Sequence, residues 1–291
     1  MESIAELRQR VQAPVRKYND VAGVLVGDRV SIHVTRVFVQ LGLSPTIATL
    51  GMLLFGVAGS AMVPLGGAWA VFGFACVFLY YILDCVDGEV ARYHKREKLI
   101  FGFHDFMFHL YVKSAFFTCL GIYLVRTTGA SWTFFFALAA LLAVLFQKFL
   151  HDLPLILTAR YILLRRNHER DHFVAQITQG AVETELAHDG ALPDDHRPVA
   201  YSGALSFVRA AVTNFDLGVL LFLAAAIADL FVEPFQLAHL PANCVGVLVV
   251  FYGIVCPFDF LDHLQTHIRN QRFVHESRRL LRGAHHFDLD G

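Results

Sequence analysis

Acids, histidines and small residues crowd one stretch of an otherwise apolar chain, residues 80–113: YYILDCVDGEVARYHKREKLIFGFHDFMFHLYVK. Asp84 and Asp87 stand three residues apart, so on a helix they share a face, and Asp105 and His109, four apart, share a face of the next one. The connection between the two helices is short, which makes them antiparallel neighbours and lets the two pairs converge. Three carboxylates and one imidazole form a ligand set for a hard divalent cation, Mg²⁺ or Mn²⁺. Gly88 and Ala91 let a helix or a substrate approach the backbone closely. Arg92 is suited to holding a phosphate or one of the acids. Lys113, one turn beyond His109, can neutralise an acid or touch a phosphate, the plainer alternative being a snorkelling lysine. Two isolated acids here would do no more than pair with Arg92 and Lys95 at a helix end. Ionisable groups inside a membrane segment are costly, however, and so mark function.

A membrane bundle is the scaffold the rest of the chain predicts. Of 291 residues, 56% are hydrophobic and 17% charged, with 27 Phe and a formal net charge of −1; mean hydropathy is +0.51. Soluble domains average about 45–50% apolar and about 25% charged. The same apolarity excludes a disordered chain, and an isoelectric point near 6.9 offers no basic field for nucleic acid. A helix needs about 20 apolar residues to cross a bilayer. Six stretches qualify: Pro45–Val63, Ala68–Val86, Phe103–Val125, Trp132–Leu157, Val212–Val232 and Leu240–Phe258. Ahead of them, Val30–Leu43 alternates apolar and polar residues at helical spacing, as an interfacial helix does. The expected fold class is all-α, a polytopic membrane protein of six transmembrane helices preceded by an interfacial amphipathic helix.

The charges orient this bundle. Arg and Lys fill the N-terminal segment, the connections near 92–98 and 160–170, and the C-terminal tail. The connections at 65–67, 126–131 and 233–239 hold Arg126 and no other cation. The positive-inside rule then predicts cytoplasmic N- and C-termini. Residues 1–44 are expected to form a cytoplasmic segment with the interfacial helix, 45–260 the six-span membrane domain that holds the acidic cluster, and 261–291 a basic tail suited to anionic headgroups. Within the domain, residues 160–209 are a polar cytoplasmic insertion, read as a solvated connector, with a substrate lid or partner surface as the sharper alternative. The first 20 residues lack the apolar core of a cleavable signal, so internal spans are expected to drive insertion. The five cysteines form no CxxC pair and read as small buried hydrophobes. His94 and His104 flank the acidic cluster as possible substrate contacts. His168, His172, His285 and His286 read as solvated. Of Asp216, Asp229, Asp259 and Asp262, at or inside the last two spans, one is expected to line a polar cavity.

Asp84-x2-Asp87-Gly88-x2-Ala91-Arg92 resembles the first half of the signature of the CDP-alcohol phosphatidyltransferase family, DxxDGxxAR, which a GxxxDxxxD half follows after about eight residues. Leu43-Ser44-Pro45-Thr46-Ile47-Ala48-Thr49 is similar to the family's LTPNxVT-like segment at the first span. The resemblance covers about Val30 to Phe260. In the second half, Phe101 stands where glycine is expected and Gly102 falls one residue late; Asp105 occupies the third aspartate position, and His109 replaces the fourth.

The resemblance implies transfer of a substituted phosphate from a CDP-alcohol donor to an alcohol acceptor, one of them a lipid, with release of CMP. By position, Asp84, Asp87 and Asp105 would be metal ligands, and Gly88, Ala91 and Arg92 would meet the nucleotide. His109 would take the fourth role, as base for the acceptor hydroxyl together with Asp105, or as a metal ligand. A homodimer in the membrane is also implied, with a bacterial inner membrane as the default location. The alternative is an inactive relative that binds nucleotide or lipid as a membrane subunit. A transporter fits less well, because neither an inverted repeat nor a pair of broken spans is present.

Overall fold

The first two helices are short and amphipathic. α1 (Ile4–Val11) opens on a capping box: the Ser3 hydroxyl accepts from the Glu6 amide at 3.2 Å, and the Glu6 carboxylate accepts from the Ser3 amide at 2.7 Å. The Ser3 amide, and then its hydroxyl, hold the exposed Glu6 carboxyl below its ordinary pKa. A π-helical turn, Gly23–Gly27, leads into α2 (Asp28–Gln40), the helix expected at Val30–Leu43. α2 buries Ser31, Ile32 and Thr35, and it exposes Val30 and Val37. The computed structural model describes residues 2–15, 22–95, 99–165, 213–237 and 240–269, with the backbone alone for 99–105, 151–165, 237, 240 and 267.

The long helices follow the apolar runs. They are α3 (Pro45–Met62), α4 (Gly67–His94), α5 (Leu99–Thr128), α6 (Phe134–Arg165), α7 (Phe215–Ala228) and α8 (Cys244–Arg269). Among the described residues five stretches are long and apolar enough to cross a bilayer: Pro45–Leu65, Gly67–His94, Phe106–Thr128, Ser131–Leu150 and Cys244–Thr266. The protein is thus a helical polytopic membrane protein. α7 is a 14-residue apolar helix at the position of the expected fifth span, whose expected start, Val212, lies outside the described residues. So do the insertion beyond Arg165, with His168 and His172, and the tail beyond Arg269, with His285 and His286. One expected boundary is corrected. Leu240–Ala242 does not open the last span but pairs antiparallel with Phe235–Leu237 in a two-stranded hairpin, and α8 starts at Cys244.

Aromatic residues mark one membrane boundary. Both tryptophans, Trp69 and Trp132, are exposed near the starts of α4 and α6, beside exposed Phe72 and Phe135, and Phe231 is 82% exposed just after α7. Such rings populate the headgroup level. Counted from this belt, about 20 residues of α4 cross the hydrocarbon and reach the Asp84–Glu89 level. The same count from the end of α5 reaches the level of His109, and from the end of α3 it reaches Pro45.

The chain forms two compact units, the first containing α1–α5, the start of α6, α7 and α8 to Pro257, the second containing α6 from Ala143 and α8 from Phe258. In the first, α3 and α4 touch backbone to backbone: a Cβ on Gly59 would lie 2.7 Å from the Gly73 carbonyl, and one on Gly73 would lie 2.6 Å from that of Gly59. Lipid supplies no hydrophobic drive between helices, so such close packing supplies the attraction. Phe74, Phe116 and Phe222 interlock α4, α5 and α7, with Phe74 and Phe222 stacked at 5.7 Å. Asn214 caps α7 through the amides of Asp216 and Leu217. Asp229, at the end of α7, accepts from the first amides of α8, Cys244 at 2.7 Å and Val245 at 3.1 Å, and is thereby a helix cap. In the second unit, buried Asp259 accepts from Gln147 at 3.3 Å.

Candidate functional site

α4 continues past the apolar run that announces it, and its last turns carry the acids. At 3.6 residues per turn, Tyr80, Asp84, Asp87, Gly88 and Ala91 lie along one stripe, whereas Glu89 falls about 140° from Asp84. Nothing in DCVDGEVARYHK stops a helix: it contains no proline, and its one glycine lies in the interior. α4 ends where Lys95 turns into the left-handed region at φ 52°.

The acidic stripe faces α3 and α5. His109 Nε2 on α5 lies 3.2 Å from Asp84 Oδ1, and His109 Nδ1 is hydrogen-bonded to the Tyr80 hydroxyl. Tyr80 and Asp84, one turn apart on α4, therefore hold the imidazole by both nitrogens. Thr49, near the start of α3, lies 3.1 Å from Asp87 Oδ2 and 3.1 Å from the Pro45 carbonyl; its single hydroxyl proton serves one of them at a time. The Asp84 side chain is 26% and that of His109 15% exposed, so the pair sits at an accessible boundary.

The opposite face of the same turns is closed. Glu89 is 2% exposed and accepts from Gln12 Nε2 at 2.8 Å, Ser31 Oγ at 2.5 Å and Thr35 Oγ1 at 2.5 Å. A buried carboxyl costs several kcal/mol unless it is hydrogen-bonded, by order of magnitude, and three donors meet that need. Gln12 also donates to the Asp28 carbonyl at 2.8 Å. Arg92 Nε donates to the Val11 carbonyl at 2.7 Å. Together these bonds tie α1 and α2 to the end of α4.

Each residue singled out in the sequence can now be located. Asp84 and His109 are brought together, and Asp87 is held by Thr49. The Arg92 guanidinium folds back over Gly88, where a Cβ would stand 3.2 Å from it, so the glycine makes room for that arginine. Ala91 is partly exposed on the acidic stripe. Lys113 places its ammonium 5.2 Å from the centre of the Phe215 ring. Asp105 lies on α5 one turn before His109, but its side chain, like that of His104, is outside the description. Among the described side chains no three of His, Cys, Asp and Glu come together closely enough to hold a metal ion.

Sequence reasoning missed Tyr80, Thr49 and Glu89 as members of this region. For Tyr80 a signal existed, since it stands four residues before Asp84 on the same face. Glu89 had one too, an acid just beyond the expected end of the span at Val86, at an angle that Asp84 and Asp87 do not share. Its partners Gln12, Ser31 and Thr35 are distant in the chain and carried no signal. No protein-family model and no curated protein matches this chain.

Proposed function

We propose that this protein is a metal-dependent CDP-alcohol phosphotransferase that moves a substituted phosphate from a CDP-alcohol donor to an acceptor hydroxyl and releases CMP. The observation that carries the reading is the 3.2 Å contact between Asp84 on α4 and His109 on α5. Through it, two spans present an acid stripe and an imidazole at one membrane boundary. Asp84 and Asp87, on one partly exposed face, suit a hard cation such as Mg²⁺ or Mn²⁺ as two of its oxygen ligands, with Asp105 as the third and His109 in the fourth position of the pattern. When bound, the cation neutralises charge on the pyrophosphate.

The chain's own groups supply the rest. Ala91 keeps the stripe low for a nucleotide, and Gly88 makes room for the Arg92 guanidinium beside it. Arg92 and Lys113 offer positive charge to its phosphates. Asp105 and His109 are the proton acceptors nearest in sequence for the incoming hydroxyl. The reading further takes α7 as the fifth of six spans, both termini as cytoplasmic, the location as a bacterial inner membrane, and the protein as a homodimer with a lipid as one substrate.

The test is CMP release by the purified protein with Mg²⁺ or Mn²⁺, offering CDP-diacylglycerol, CDP-choline or CDP-ethanolamine as donor against mixed lipid and polar acceptors. Metal-dependent release is expected for one pairing. A second reading, an inactive relative that binds nucleotide, is favoured by one observation: both ring nitrogens of His109 are engaged within the protein. Nucleotide binding without release in every pairing would select it.

A further inference from the structure

We infer that His109 acts on the site through Asp84, as the group that orients this carboxylate, and that Tyr80 fixes the ring so that it does so. The inference rests on the phosphotransferase reading for its purpose and on geometry for its content. An ionised carboxylate only accepts hydrogen bonds, so the 3.2 Å contact requires a proton on His109 Nε2. In a neutral ring the other nitrogen is then an acceptor, and it takes the Tyr80 hydroxyl proton. Tyr80 is 1% exposed, and its ring meets the imidazole edge to face at 5.8 Å.

Gly56 on α3 clears the space for this contact. A Cβ there would stand 3.2 Å from the Tyr80 ring and 2.6 Å from Val112, three residues after His109 on α5. The tyrosine is wedged, so its hydroxyl stays on Nδ1 and holds the ring in the orientation that aims Nε2 at Asp84. The bond from Nε2 falls on Oδ1 of Asp84 and so fixes the direction of that carboxylate. Partners of this kind orient metal-binding carboxylates, and their loss typically weakens metal binding about 10–100-fold. For either nitrogen of His109 to meet metal or substrate itself, it would have to leave Asp84 or Tyr80. Tyr80 and His109 are accordingly positioning residues in this arrangement, and of the two proton acceptors named for the hydroxyl it leaves Asp105 to serve.

The experiment is ¹⁵N NMR of the full-length protein in lipid nanodiscs, labelled at histidine and free of metal, with the His109 signals identified by their loss in His109→Gln. The expected spectrum has Nε2 protonated and Nδ1 unprotonated but hydrogen-bonded, and Tyr80→Phe keeps Nε2 protonated while moving the Nδ1 signal to that of an acceptor without its hydrogen bond. Mn²⁺ titration of the same samples is expected to show affinity about tenfold weaker in Tyr80→Phe than in the wild type. A protonated Nδ1 in the wild type overturns the inference, as does a His109 spectrum that Tyr80→Phe leaves unchanged. Equal Mn²⁺ affinity in the two proteins also overturns it. If the wild type binds no Mn²⁺, the phosphotransferase reading fails, and the tautomer result alone decides the inference.

Discussion

Three carboxyl groups lie within six residues of α4, and the two sides of that helix treat them in opposite ways. Glu89 is buried and takes three hydrogen bonds, one from Gln12 at the C-cap of α1 and two from Ser31 and Thr35 on α2. Asp84 and Asp87 sit part-exposed at the membrane boundary, one against an imidazole on α5 and the other against a hydroxyl on α3. The first arrangement is a lock, because every partner of Glu89 belongs to the N-terminal helices and their junction. The second holds its carboxylates between three helices at a part-exposed position. Position in the chain does not separate these roles; helical angle does, since two residues beyond Asp87 reverse the face.

The contrast can be broken most sharply at Asp87. Asp87→Asn keeps the shape and removes the charge, and CMP release is expected to fall about 10³-fold, or about 4 kcal/mol of barrier. Thermal unfolding in detergent should stay within a few degrees of the wild type. Glu89→Ala should do the reverse. It strands buried donors on α1 and α2 at about 1–3 kcal/mol each, so a loss of about 3 kcal/mol in stability is expected, with faster amide exchange in residues 4–11 and 28–40. Tyr252 supplies a control for burial without partnership. Its hydroxyl is buried, makes no hydrogen bond among the described residues, and would meet a Cβ on Gly218 at 2.6 Å. Tyr252→Phe is therefore expected to leave unfolding within about 0.5 kcal/mol of the wild type or slightly above it.

The smallest effect belongs to α1. The Glu6 pKa is lowered in the folded protein by Ser3, so its capping contribution is fully present above the ordinary carboxylate value. It is lost as pH falls through the lowered native one. Amide protection across residues 4–11, measured against Glu6→Gln at each pH, should show a wild-type advantage at neutral pH that vanishes in acid.

What was readable in the sequence follows the same division between local and distant causes. The long apolar helices and the amphipathic helix ahead of Pro45 were legible because burial in lipid imposes a period and a length on nearby residues. The stripe of Asp84, Asp87 and His109 was legible because it needs only helical spacing and an antiparallel neighbour. The far end of α4 was not, since hydropathy stops at the acids while helix propensity does not, and Lys95 ends the helix without the glycine that usually signals it. Of the paired segment Phe235–Ala242 only the second strand was misread, because Leu240–Ala242 runs on into the apolar stretch of the last span. Glu89 went unassigned because its meaning lies in Gln12, 77 residues away. Pattern reveals which residues share a face, and only the fold reveals what that face meets.

The central claim is that one face of α4 does chemistry and the other holds the molecule together. The most direct test measures metal-dependent CMP release and thermal stability side by side in the wild type, Asp87→Asn and Glu89→Gln, each as the full chain in nanodiscs. The account predicts release abolished with stability kept in Asp87→Asn, and stability lowered with measurable release below the new melting point in Glu89→Gln. Release retained by Asp87→Asn, or abolished by Glu89→Gln in protein that is still folded, would contradict it.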